Sequence, residues 1–180
     1  MSLKRQKKYM SHLPVLKLIF EVCDIKTVFE YGCGIHSTSF FLEHSEFVTS
    51  VEMNHLKWYD KLKSEMKSDK LDLSFRLTHE AIDYFKSTNK NYDLIFVDGD
   101  RDLRKECVIT AVNKTDIITL HDVDLTWRRF THKGWLKVND EIPENYRIIT
   151  MQLENPSTTV YTSNLQLFDF LKQYNSTVIR

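Results

Sequence analysis

An α/β fold built on a largely parallel sheet is predicted by three observations along these 180 residues. Short apolar runs alternate with helical patterns from residue 27 to residue 120, with no repeat or low-complexity linker, as successive βα units do. A glycine-bearing loop, Glu30-Tyr31-Gly32-Cys33-Gly34, follows the first of these runs directly, and a later run ends at Asp98-Gly99-Asp100. Glycine is otherwise scarce: the chain has 4, where average usage near ~7% would give about 13. A loop holding two of the four marks a place where a side chain would obstruct a tight strand-to-helix turn or a bulky ligand.

Each element has its own local reason. Residues 7–23 read as an N-terminal helix, with Val15, Leu16, Ile19 and Phe20 apolar and Pro14 tolerated near the first turn. Residues 27–31 form the first strand, and 37–44 a helix that Ser37 or Thr38 would cap. Residues 47–53 form the second strand, and 54–67 a helix presenting Leu56, Tyr59, Leu62 and Met66 to the sheet. Residues 71–77 alternate apolar and polar, as a strand near a sheet edge should, and 80–87 make a short helix with Ile82 and Phe85 inward. The run 92–97 is nearly all apolar, typical of a parallel strand covered on both faces. Residues 101–113 are helical, with Leu103, Cys107, Val108 and Ala111 inward, and 116–120 form the next buried strand, ending at His121-Asp122. Residues 146–153 and 158–162 flank the turn Glu154-Asn155-Pro156-Ser157 as a hairpin, and Leu165, Phe168 and Leu171 mark a closing helix. The expectation is one domain over 1–180: a helical extension to residue 24, a core from 27 to 162, and a C-terminal helix over 163–180.

Composition narrows the classes. With 25 basic and 25 acidic residues there is no global field to draw the chain onto a phosphate backbone, so nucleic acid is disfavoured despite the local run Lys4-Arg5-Gln6-Lys7-Lys8. The apolar stretch after that run is broken by His12, Pro14 and Lys17, which does not fit a secretory leader, and no segment approaches the ~20 apolar residues of a membrane span. Cys23, Cys33 and Cys107 have neither disulfide parity nor metal-type spacing and read as reduced thiols, so a cytoplasmic location is expected. The sequons Asn113-Lys114-Thr115 and Asn175-Ser176-Thr177 would then stay unglycosylated.

The second strand ends in Glu52, about twenty residues after the glycine loop, the spacing of a nucleoside-binding βαβ unit. A carboxylate there offers two acceptor oxygens to a vicinal diol. Taken with Ser50-Val51-Glu52, the segments running from Val28 through Gly32, Gly34 and Ser37 to Thr38, from Tyr92 to Asp100, and Leu120-His121-Asp122 carry a resemblance. The chain resembles the class I methyltransferases that use S-adenosylmethionine (SAM), over residues 27–162. The subgroup it looks most like methylates oxygens of small molecules and sugars, with some members needing magnesium. The resemblance implies a Rossmann-like three-layer sandwich with a mostly parallel seven-stranded sheet, order 3-2-1-4-5-7-6, and a terminal antiparallel hairpin.

It also implies roles. Glu30 would meet the methionine amino group, directly or through water, while Gly32, Gly34 and Ser37 line the bend. Glu52 would take the ribose hydroxyls, Met53 would lie on the adenine face, and His79 and Glu80 would stand at the adenine edge. Asp98 would face both donor and acceptor. Asp98, Asp100, His121 and Asp122 fall at the carboxyl ends of adjacent central strands, and such a group is costly without a cation, donor or water. Three readings stay open there: magnesium on Asp98 and Asp122, metal-free catalysis with His121 as general base or Asp98 orienting the substrate, or acids that only cap the following helices. Relatives with the Asp-Gly-Asp piece usually continue with histidine, whereas this chain has Arg101. The aromatic and basic segment from Leu125 to Trp135 would rim the crevice and suit a flat or anionic small-molecule acceptor. The short chain leaves little room for a lid, so a second subunit, as in a homodimer, is left open as its source. A non-catalytic SAM-binding regulator and a nicotinamide oxidoreductase are the alternatives, although the GxGxxG fingerprint of the latter lacks its last glycine.

Overall fold

The computed structural model describes residues 10–77, 79–123 and 138–179. Helix α1 (Leu13–Val22) leads into strand β1 (Thr27–Tyr31), followed by α2 (Ile35–His44), β2 (Phe47–Glu52), α3 (Leu56–Glu65), β3 (Leu71–Phe75) and α4 (His79–Ser87). Then come β4 (Leu94–Val97), α5 (Arg104–Ala111), β5 (Ile117–Leu120), β6 (Arg147–Met151), β7 (Thr158–Thr162), α6 (Leu165–Leu171) and β8 (Ser176–Val178). The predicted alternation is therefore present, with element ends trimmed by a few residues.

The strands form one sheet in the order β3-β2-β1-β4-β5-β7-β6-β8. Strands β1 to β5 pair in parallel, while β7 runs antiparallel between β5 and β6. The expected order is reproduced with one addition: an eighth strand, β8, lies antiparallel on β6, in register Ile149↔Val178 to Met151↔Ser176. The C-terminal region is thus a helix plus a strand, not a helix alone. The bare edge of β6 recruits this short segment because its N–H and C=O groups would otherwise go unpaired.

Side-chain alternation divides the core. Val28, Val48, Leu94 and Phe96 face α1, α2 and α6, meeting Leu16, Ile19, Phe41 and Leu167. Phe29, Tyr31, Val51, Ile95 and Val97 face α4 and α5, meeting Ile82, Phe85 and Val108. Helices therefore cover both faces of the sheet, and the period of two decides which layer each strand residue enters. Helix α3 departs from expectation: of its predicted inward stripe only Leu62 is buried, and Leu56 is 52% exposed. It lies against the edge strand β3, which offers little surface to cover.

The strand order reverses between β1 and β4, where chain leaving the two strands diverges and opens a crevice. Gly32 (φ +83°) and Gly99 sit side by side at that point: a β-carbon on Gly32 would lie 2.5 Å from the Gly99 backbone. Gly32 is thus required by backbone packing and by left-handed geometry that only glycine adopts freely.

Candidate functional site

A cavity of about 1110 Å³ opens at the carboxyl ends of β1, β2, β4 and β5, where the strand order reverses. It has two chemically different sides.

The first is built from the β1 and β2 ends. Gly32, Gly34, Ser37 and Glu52 line it. Glu52 Oε1 accepts from the amides of Asn54 (3.0 Å) and His55 (3.1 Å), which fixes the carboxylate at the strand tip. Its Oε2 lies 3.5 Å from Cys33 Sγ and keeps acceptor capacity toward the cavity. Trp58, absent from the sequence-level assignment, also lines this side, held by its Nε1 donating to the Cys33 carbonyl at 2.8 Å.

Four expectations are corrected on this side. Glu30 does not reach the cavity. Parity along β1 turns it to the α2 face with Val28, where it is fully buried beneath that helix. Ser37 Oγ donates to it at 2.5 Å, Thr38 Oγ1 at 2.7 Å, and Ser50 Oγ also donates. Burial pushes its carboxyl up to about 7, against the three hydroxyls, which favour the ionised form. Ser37 and Thr38 thus serve the buried acid, and the residue preceding α2 is Gly34. Met53, one residue beyond the parity of Glu52, drops into the α4–α5 core at 0% exposure behind Gly99 and offers no face to a ligand. His79 and Glu80 are exposed at the start of α4, outside the cavity lining. Glu80 Oε2 accepts from the Leu77 amide at 3.1 Å and His79 faces Glu106, so both belong to a solvated helix start.

The second side is built from the β4 and β5 ends and the turn before α1. Asp98, His121 and Asp122 meet there as expected, joined by two residues that the sequence reading passed over, His12 and Arg104. Arg104, 4% exposed, donates from Nε to the Gly99 carbonyl (3.1 Å), from Nη1 to the His121 carbonyl (2.9 Å) and from Nη2 to Asp98 Oδ1 (2.9 Å). The same Nη2 is 3.7 Å from Asp122 Oδ2. His121 Nδ1 lies 3.1 Å from Asp98 Oδ2, poorly aligned for a linear hydrogen bond, and its Nε2 is 2.8 Å from Ser11 Oγ. Burial alone would raise the Asp98 carboxyl, but His121 and Arg104 hold it below its ordinary value. His12 stacks edge-on to His121 with ring centroids 4.7 Å apart, and burial followed by that neighbour's charge lowers its pKa to about 3. Asp122 adopts φ 59°, a left-handed conformation uncommon outside glycine and concentrated at functional sites.

This arrangement answers the magnesium expectation. The cation between Asp98 and Asp122 is the Arg104 guanidinium, 2.9 Å from Asp98 Oδ1 and 3.7 Å from Asp122 Oδ2. The pair does not fit magnesium. Arg101 lines the cavity in place of the histidine usual in relatives, and His121 supplies an imidazole instead. The aromatic segment from Leu125 to Trp135 lies outside the described residues.

No family model matches the chain, and no curated protein matches its sequence. Solved structures do match in shape. An O-methyltransferase from Bacillus cereus, in complex with SAH, superposes with a TM-score of 0.67 at 15% identity, covering 90% of this chain and 82% of that one. The O-methyltransferase TomG from Streptomyces achromogenes, in complex with SAM, gives 0.64 at 11%, covering 90% and 80%. Spermidine synthase from Thermotoga maritima gives 0.61 at 13%, covering 92% and 63%. The protein therefore has the Rossmann-like fold of class I methyltransferases, an α/β sandwich shared by enzymes of more than one reaction. Among the described residues no helix is long and apolar enough to cross a membrane.

Proposed function

We propose that the chain is a SAM-dependent methyltransferase acting on an oxygen of a small polar acceptor. The observation that carries this reading is the single cavity at the β1/β4 reversal, with a strand-tip Glu52 on one side and the Asp98–His121–Arg104 group on the other. The residues fit a sulfonium nucleoside: Glu52 Oε2 is oriented and available for ribose hydroxyls, the backbone of residues 32–34 lines the adjoining wall, and Trp58 stands beside them. SAM, when bound, supplies an electrophilic methyl group with a good leaving group, so the protein's task is mainly alignment. Asp98 and His121 lie where an acceptor hydroxyl would approach, and the pair would hold that hydroxyl and take its proton. Arg104 keeps Asp98 ionised for this task. His121 and Arg104 are buried while Asp98 is partly open to the cavity, so the charges act with less screening than at the surface.

Calorimetric titration with SAH is the direct test, with NADH as the competing cofactor. Glu52→Ala is expected to weaken SAH binding by about 1–3 kcal/mol through lost charged hydrogen bonds. Asp98→Asn is expected to lower turnover on a responsive acceptor more than it lowers SAH affinity. NADH binding without SAH binding overturns the reading. Tight SAH binding with no methylated product from any acceptor pool would favour a regulatory binding domain. Cytoplasmic residence and a homodimer that completes the cavity rim complete the proposal; light scattering reads the second.

A further inference from the structure

His12 is a buried titratable group for which the proposed reaction has no use. It enters from the turn before α1, yet one donor atom from each of His12, Asp98 and His121 lies within 4.8 Å of the others. Among the described residues, His12 Nδ1, His12 Nε2 and His121 Nδ1 have no well-formed hydrogen bond. His12 and His121 are each 3% exposed. Buried polar atoms are ordinarily satisfied, so a His12 imidazole with both nitrogens unpaired beside Asp98 and His121 points to a ligand held among the three.

We propose that His12, Asp98 and His121 form a binding site for one divalent transition-metal ion of the zinc class. Two imidazoles and a carboxylate are a nitrogen-rich set, suited to zinc and its neighbours and poorly suited to magnesium, which demands oxygen. The site lies on the Oδ2 side of Asp98, away from the Oδ1 that Arg104 holds. Asp98 Oδ2 and His121 Nδ1 are 3.1 Å apart, near the roughly 3.3 Å that separates neighbouring ligands of a tetrahedral ion with bonds of about 2.0–2.1 Å. Outer contacts are already in place: Arg104 fixes the carboxylate, and Ser11 Oγ meets His121 Nε2 at 2.8 Å, the position from which a metal-binding imidazole is usually oriented. Three protein donors would leave a fourth position open, and all three residues line the cavity. With an ion held there, His121 would be a ligand instead of a base, and the metal would supply Lewis acidity toward a bound water or hydroxyl.

The test uses the full chain, stripped with chelator and titrated calorimetrically with Zn²⁺ in excess Mg²⁺, with Co²⁺ absorption reporting geometry. One equivalent of Zn²⁺ and tetrahedral Co²⁺ bands are expected, and His12→Gln should lower affinity by at least about tenfold. His79→Gln, at an exposed histidine outside the cavity, should leave it unchanged. Binding that is substoichiometric, or unmoved by His12→Gln in a protein with native circular dichroism, overturns the proposal. Should His12→Gln fail to fold, the wild-type Co²⁺ spectrum decides alone: octahedral bands or none sink the site. SAH is absent throughout, so the outcome stands apart from the methyl-transfer reading.

Discussion

Glu30 is ionisable, fully buried, and held by three hydroxyls beneath α2. Because burial raises its carboxyl from 4.5 to about 7, the folded protein keeps a proton there that the unfolded chain has already lost. Between those values Glu30 binds more protons in the native state than in the unfolded state, so its contribution to stability falls as pH rises. The full effect is about 3 kcal/mol. His12, whose pKa burial lowers to about 3, contributes the opposite slope over part of this range, so urea unfolding at pH 5 and pH 8 should show stability changing less favourably with rising pH in the wild type than in Glu30→Gln; parallel profiles would remove the assignment. Glu30 and Glu52 both end a strand's apolar run, and the sequence distinguishes them poorly. Their roles separate through register: Glu30 is still inside the β1 ladder opposite Ser50, whereas Glu52 stands at the last rung of β2, where the chain turns away. Arg104 had no distinguishing signal at all, being one basic residue in a helical stretch. Only the convergence of Gly99, His121 and Asp98 around its guanidinium reveals it.

Helix α6 shows an element whose start depends on one side chain. Asn164 Oδ1 accepts from the Leu167 amide at 3.0 Å, satisfying one of the orphan donors at the N-terminus. Asn164→Ala should cost about 1 kcal/mol and lower Tm by roughly 2–4 °C, while Asn164→Asp should keep most of the stability. Thermal scans of the two variants check this, and equal losses would mean that the cap contributes little. The apolar pattern Leu165, Phe168 and Leu171 made this helix legible, because all its information lies within two turns. Strand β8 was not legible: Ser176, Thr177 and Val178 are too few for a period, and they become a strand only because β6 offers an edge. The stripe on α3 misled for a related reason, since helical spacing shows which residues share a face but not how much sheet lies beneath it.

At the scale of the molecule, a ligand that binds only the folded state stabilises it by mass action. SAH at a hundredfold excess over Kd should add about 2.7 kcal/mol, or roughly 5–11 °C in Tm for a chain of this size. A thermal shift series against SAH concentration checks this, and a flat series would contradict the proposed donor pocket. The order of the sheet came from the family resemblance that the strand-end motifs carry, and handedness and adjacency rules explain why chains of βα units share so few orders. The cavity's location was readable too, since it lies where the strand order reverses.

Local pattern alone set the βα alternation, the glycine bend, the hairpin and the acids that end the strands, because each depends on residues within a dozen positions of one another. Tertiary packing settled which acid faces the cavity, that a guanidinium joins Asp98 and Asp122, and that His12 joins residues 86 and 109 positions away. Those contacts cross between elements, and nothing in the spacing of residues along a chain encodes the distance between side chains that only the folded sheet brings together.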